Sequence, residues 1–246
     1  SSEDTTCRLW LATEMEEDGA ASYQCAYVLR GHSAAVRFLA IASDDSFVAT
    51  VSDDGTARLW GPGEGDEAGK TWSCQAVLEG HEAAVYGVSI ARDPSFIATA
   101  SDDKTCRVWC RQGGEWACHQ VLEGHEEGLY SVNSSDCGSV LATTGGDNVC
   151  RLWERSGARW RLLQVLSGHE AAVYDAAIAP DLSLIATGDD SGCCNLWRRK
   201  RETGQWVLRQ SLRGHSETIY GVQIAPGRYR GELTVGTGSA DGTSIM

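Results

Sequence analysis

Through most of the chain, apolar and polar residues alternate over short runs that break at turn-forming residues, a period-2 pattern that predicts half-buried strands rather than helices. Residues 78–109, LEGHEAAVYGVSIARDPSFIATASDDKTCRVW, show the unit. The alternation predicts a strand over Val85–Ala91, a turn at Arg92-Asp93-Pro94-Ser95 and a second strand over Phe96–Ser101. Asp102-Asp103-Lys104 turns the chain into a third strand, Thr105–Trp109. After a loop at Arg111–Gly114, a fourth, Trp116–Leu122, leads into the next Gly-His pair.

The skeleton recurs without gaps at residues 29–60, 122–153 and 166–197. Another copy opens at Leu212, carries extra residues around Arg228–Gly231, and ends in SADGTSIM, which does not read as a continuing strand. Ser2–Trp10 matches Ser52–Trp60 and supplies a headless piece. The pairs beginning at Gly31, Gly80, Gly124, Gly168 and Gly214 set a period in the mid-forties, and four antiparallel strands per such period make one propeller blade. With strands near Thr5–Trp10 and Tyr23–Leu29, four full sets, and two more within Thr218–Gly238, the expectation is all-β: about twenty strands, or five blades' worth. The divisions fall at 1–29, 30–78, 79–122, 123–166, 167–212 and 213–246 of a single domain. The chain begins without Met and stops inside a repeat, as a piece of a longer protein would.

Charge narrows the partners. With 34 acidic against 21 basic residues, a formal charge of -13 disfavours nucleic acid and anionic membrane, which need positive potential. No apolar run reaches the roughly 18 residues of a membrane span, and no signal-peptide layout opens the chain. The expectation is a cytoplasmic protein that binds other proteins. Arg198-Arg199-Lys200-Arg201 is read as a solvated turn, with a nuclear signal or phosphate patch as the sharper reading.

Of ten cysteines, seven fall at two positions of the repeat. Cys7, Cys106, Cys150 and Cys194 stand three before the closing Trp, where Ala57 stands in another copy; Cys25, Cys74 and Cys118 stand seven before the His, where Leu162 and Leu208 stand in others. Exchange with Ala and Leu suits a buried apolar slot better than a ligand. No metal and no cofactor are expected, and free thiols suit a reducing compartment.

Gly-His, an Asp-containing turn and a strand-ending Trp resemble the WD40 repeat over essentially the whole chain. The resemblance implies a hydrogen-bonded tetrad in each blade: His32, Thr50, Asp54, Trp60; His81, Thr99, Asp103, Trp109; and His125, Thr143, Asp147, Trp153. In the fourth copy His169, Thr187 and Trp197 align, but Ser191 holds the Asp position with Asp189 and Asp190 shifted upstream, leaving that tetrad incomplete or rearranged. The aspartate that often follows the Trp is replaced by Leu11, Gly61, Cys110, Glu154 and Arg198. Because these His and Asp residues recur in every blade, they read as framework; with no P-loop, GxSxG or HExxH spacing, no enzyme is expected.

Five residues after each His come Arg37, Tyr86, Tyr130, Tyr174 and Tyr220. In WD40 proteins this position lies near the rim of the central channel, so the set is the candidate partner-binding site, in residue types that dominate interfaces. The plain alternative is packing along the innermost strand.

Trp116-x-Cys118-x-x-Val121-Leu122-Glu123-Gly124-His125, its cousin at residues 72–81, Val36-Arg37 and Thr218-Ile219-Tyr220 resemble the WD-repeat component of the cytosolic iron-sulfur protein assembly machinery. That resemblance implies a seven-bladed propeller lacking about 90 residues here. It also implies a non-enzymatic adaptor that helps deliver clusters to client apoproteins without ligating them. The alternatives are a WD40 scaffold of another large complex, or a closed five-bladed propeller with a small-ligand site. In the closed form, Thr5–Leu29 would pair with the sheet of Thr218–Gly238.

Overall fold

The computed structural model describes residues 2–15, 21–63, 71–226 and 232–246. Among them are 21 strands in six antiparallel sheets. The first sheet pairs β1 (Thr6–Met15) with β2 (Ala21–Arg30). Four sheets of four strands follow. They are β3–β6 (Val36–Ile41, Val48–Ser52, Ala57–Pro62, Trp72–Leu78), β7–β10 (Val85–Ile90, Phe96–Ser101, Cys106–Gln112, Glu115–Leu122), β11–β14 (Leu129–Ser134, Val140–Gly145, Val149–Ser156, Arg159–Ser167) and β15–β18 (Val173–Ile178, Leu184–Asp189, Cys193–Arg199, Trp206–Arg213). The last holds β19 (Ile219–Pro226), β20 (Leu233–Ser239) and the short β21 (Ser244–Ile245). The tail read as non-strand thus contributes one: Ser244 pairs with Gly238 and Ile245 with Thr237.

The second strands β4, β8, β12 and β16 are sandwiched between neighbouring sheets, whereas β20 of the last sheet is largely half-buried. β4, β8 and β12 are buried at every position. Between the sheets of β3–β6 and β7–β10, Ala49, Val51, Ala57 and Leu59 pack with Val85, Val88, Ile97 and Trp109; the next interface repeats this with Ala98, Ala100 and Val108 against Leu129, Val132 and Leu141. First strands β3, β7, β11, β15 and β19 are neighbours in that order around an inner wall.

The closed five-bladed alternative fails on strand pairing. Among the described residues β1 and β2 pair with each other and not with β19, β20 or β21. The sheet before β3 consists of those two strands alone, so Leu39 is 40% exposed, whereas its counterparts Val88, Val132, Ala176 and Val222 are buried.

The cysteine slots divide. Cys7, Cys106, Cys150 and Cys194 are buried as expected from exchange with Ala57, but Cys25, Cys74 and Cys118 are exposed on outer strands. Exchange with Leu misled there, because Leu162 and Leu208 are themselves exposed.

Gly80 explains the glycine of the Gly-His pair. Its φ is +142°, a backbone conformation that L side chains rarely adopt, so the position favours glycine.

Candidate functional site

The tetrads form the rigid frame. In the sheet of β7–β10, His81 Nδ1 lies 2.7 Å from Asp103 Oδ2, His81 Nε2 2.8 Å from Thr99 Oγ1, and the Trp109 indole N–H donates to that hydroxyl at 2.9 Å. The same chain joins His32, Asp54, Thr50 and Trp60, and His125, Asp147, Thr143 and Trp153. Burial, the largest influence on each imidazole, holds His32, His81 and His125 below their ordinary pKa, His125 at about 4. Burial also pushes the Asp54 carboxyl up, but hydrogen bonds from Thr56, His32 and Ser33 outweigh it and hold that group at about 2. A neutral imidazole therefore donates from Nδ1 to a carboxylate and accepts the threonine hydroxyl at Nε2, satisfying every buried group in the chain.

The fourth tetrad is complete in rearranged form, with an upstream acid in place of Ser191. Asp189, two residues upstream at the end of β16, meets His169 at 2.6 Å; Thr187 is 2.6 Å from the other imidazole nitrogen, and Trp197 donates to Thr187 at 2.8 Å. Ser191 instead donates through its backbone N–H and hydroxyl to Asp189. Shifting the acid and the capping hydroxyl together preserves the network. A fifth set, His215, Thr237 and Asp241, was overlooked. The extra residues near Arg228–Gly231 displace Thr237 and Asp241 from the spacing of the other copies, and allowing for them locates both.

Cys193 stands where Thr56 and Thr105 stand in other blades, and its sulfur lies within 4.8 Å of ligand atoms of His169 and Asp189, the only such grouping among the described residues. Both imidazole nitrogens are already engaged by Asp189 and Thr187.

The candidate partner residues share a backbone feature that the alternation pattern conceals. Each first strand slips register against its second strand, between Val36/Phe38, Val85/Gly87, Leu129/Ser131, Val173/Asp175 and Ile219/Gly221. The skipped residues are Arg37, Tyr86, Tyr130, Tyr174 and Tyr220. A β-bulge leaves its extra residue unpaired and re-aims its side chain; repeated in five adjacent strands, it turns all five toward one cavity of about 670 Å³.

The tyrosines stack as a ladder across sheets. Ring centroids are 6.3 Å apart for Tyr86 and Tyr130, 4.7 Å and nearly parallel for Tyr130 and Tyr174, and 5.4 Å edge-on for Tyr174 and Tyr220. Arg37 is not free: its guanidinium makes a two-pronged contact with Asp53, with Nε at 2.7 Å. Burial, assisted by nearby aspartates, raises the Tyr86 and Tyr130 phenols above their ordinary pKa.

Acidic groups border the rings. Asp102 lies close over Gly128, where a Cβ would fall 2.2 Å from its Oδ1; the other blades carry Ala35, Ala84, Ala172 and Thr218 there. Asp190 accepts from the Thr218 hydroxyl at 2.6 Å. Below the ladder Asp175 ties three sheets together, accepting from Ser131 and Asn133 of β11 and from the Val222 N–H of β19, each at 2.9 Å. Its burial outweighs those bonds and raises its carboxyl pKa. Sequence reasoning missed Asp175; the signal was an acid inside an inner strand where the aligned copies carry Phe38, Gly87, Ser131 and Gly221.

In a comparison with known families, the family described as "WD domain, G-beta repeat" matches residues 23–61, 72–110, 116–154 and 160–198. Each matched segment takes the outer strand of one sheet and three strands of the next, so the sequence unit straddles two blades and links them covalently. No curated protein matches the chain.

Proposed function

Because the chain belongs to the WD40 repeat family, we propose that it is a non-enzymatic protein-interaction scaffold that receives a segment of a partner protein at Arg37, Tyr86, Tyr130, Tyr174 and Tyr220. WD40 domains generally mediate protein–protein interaction, and these chains are usually non-catalytic. The observation that carries the site is the run of bulges that brings a side chain from each of five sheets to one cavity. Tetrad His and Asp residues are internally satisfied and serve structure.

Aromatic faces beside Asp102 and Asp190 favour a segment bearing a Lys or Arg side chain, which gains from both the π faces and the carboxylates. Asp53 adds less, since Arg37 already neutralises it.

The finer assignment is an adaptor in cytosolic iron-sulfur cluster delivery, working in the cytoplasm within a seven-bladed propeller. What supports it is the resemblance at Trp116–His125, Val36-Arg37 and Thr218-Ile219-Tyr220. No cluster ligation by this chain is proposed.

The site is tested by quantitative affinity capture with wild type and a Tyr130→Ala, Tyr174→Ala double variant. The expected result is loss of the specifically retained proteins from a variant that remains folded; an unchanged set would exclude the ladder. The finer assignment expects assembly-targeting subunits among those proteins, and their repeated absence would leave only the scaffold.

A further inference from the structure

The end of the fold opposite the ladder carries a second feature of contrary charge. In each antiparallel sheet the turn between first and second strands and the turn between third and fourth strands lie at the same end. In the sheet of β15–β18, these two turns border an open cleft of about 980 Å³. Arg198 and Arg199 line it from the end of β17, Lys200 and Arg201 from the β17–β18 connection, and Arg209 joins them from β18. Arg209 comes from farther along the chain through strand pairing. Trp197 pairs with Leu208 and Leu196 with Gln210, so Arg209 is the bulged residue between them.

Three observations separate this cleft from an ordinary solvated turn. It gathers five of the chain's 21 Lys and Arg residues, in a protein of formal charge -13. None of the five has an ion-pair partner among the described residues, although other arginines do, as in Arg37–Asp53, Arg151–Asp147 and Arg161–Glu154. Finally, the turn is ordered by its own backbone: Lys200 N–H donates to Gln205 and Gly204 N–H to Lys200, each at 2.8 Å, while Arg199 Nε donates to the Gly204 carbonyl at 3.0 Å. Asp181 is the one acid lining the cleft, and its carboxylate already accepts from the Ser183 N–H and hydroxyl.

We propose that this cleft is a docking site for an acidic segment of a protein partner, distinct from the tyrosine cavity. Unpaired guanidinium and ammonium groups on a pre-ordered turn offer several charge-assisted bonds to Asp and Glu carboxylates, with less ordering cost than a mobile loop would impose. An acidic peptide is favoured over nucleic acid because the cleft offers no aromatic platform for a base, and the protein's formal charge of -13 opposes an extended polyanion. A membrane would need a broad basic face. At this same end the turns and adjoining strand ends of the neighbouring sheets mix both signs, with Asp44, Asp45, Asp93 and Asp136 among Arg92, Arg111, Arg155 and Arg159.

The experiment measures binding of a fluorescein-labelled Glu/Asp-rich peptide to the intact chain by anisotropy. Wild type should bind at about 0.05 M salt and weaken toward about 0.2 M as screening grows. Arg198→Glu with Arg209→Glu should weaken binding about tenfold. The matched reversals Arg30→Glu with Arg213→Glu, elsewhere on the surface, should leave it nearly unchanged. Saturating unlabelled peptide should also slow tryptic cleavage of unmutated protein within Arg199–Arg201, a readout that does not depend on any variant folding. No binding at low salt, equal loss in both double variants, or no protection of that turn would overturn the proposal. Tighter binding of oligothymidylate or of phosphatidylserine vesicles than of the peptide would also overturn it, in favour of a nucleic acid or membrane ligand.

Discussion

Tetrads and tyrosine ladder are both written by the same repeat, yet one closes on itself and the other remains open. Within a blade, Thr and Trp on adjacent strands and His and Asp at the neighbouring loop and turn satisfy one another, leaving nothing to offer a partner. The ladder tyrosines meet their counterparts in neighbouring blades, through ring contacts at the edge of a cavity. Repetition inside a sheet therefore gives stability, while repetition across sheets gives a surface.

The contrast is broken most forcefully at the tetrads. Thr143→Val removes the hydroxyl shared by His125 and Trp153, stranding two buried polar groups, and should cost about 3 kcal/mol in urea unfolding. Next in size is acid. An imidazole whose folded pKa lies below its unfolded value leaves stability untouched above about pH 6.5 and removes it as pH falls toward the folded value. With His125 held at about 4, that group alone should lose on the order of 2 kcal/mol by about pH 5. The Asp54 carboxylate, held at about 2, adds its loss only below the ordinary carboxylate range. Urea midpoints at neutral and mildly acid pH check both. The raised Tyr86 and Tyr130 phenols do not titrate in that window, so partner binding should persist until unfolding begins.

Asp175→Asn sharpens the comparison, since this side chain links sheets as the ladder does but is buried as the tetrads are. Placing an NH₂ against donors should cost about 1–2 kcal/mol, with accelerated hydrogen exchange at Val222 as the local readout. The smallest effect on stability belongs to the Tyr130→Ala, Tyr174→Ala pair, about 1 kcal/mol in the same urea titration for the lost stacking, despite the largest expected effect on partner capture.

Much of the frame was legible because its spacing is local and constant: His81 to Thr99 and Thr99 to Trp109 repeat unchanged in the other full copies. In the fourth copy the acid is shifted out of alignment, so spacing left Asp189 and Asp190 both open, and the structure shows that the Asp189 carboxylate reaches His169. Cys25, Cys74 and Cys118 were misplaced because exchange with an apolar residue reports chemistry rather than depth, and the outer strand exposes Leu162 and Leu208 as well. The ring positions were visible as a repeat, but nothing in Val85–Ala91 marks a bulge at Tyr86.

By itself the sequence determined the strand alternation and the division into repeated sheets, since these follow from side-chain period and repeat spacing, while the tetrad partners of the first three full copies came from the resemblance to the WD40 repeat. Only the tertiary structure decided which way the bulged tyrosines turn, that Asp175 reaches two neighbouring sheets, and that Arg209 joins Arg198 and Arg199 in one cleft. Those contacts depend on register and on packing between sheets, where a shift of one residue reverses a side chain's face without changing the composition from which it is read.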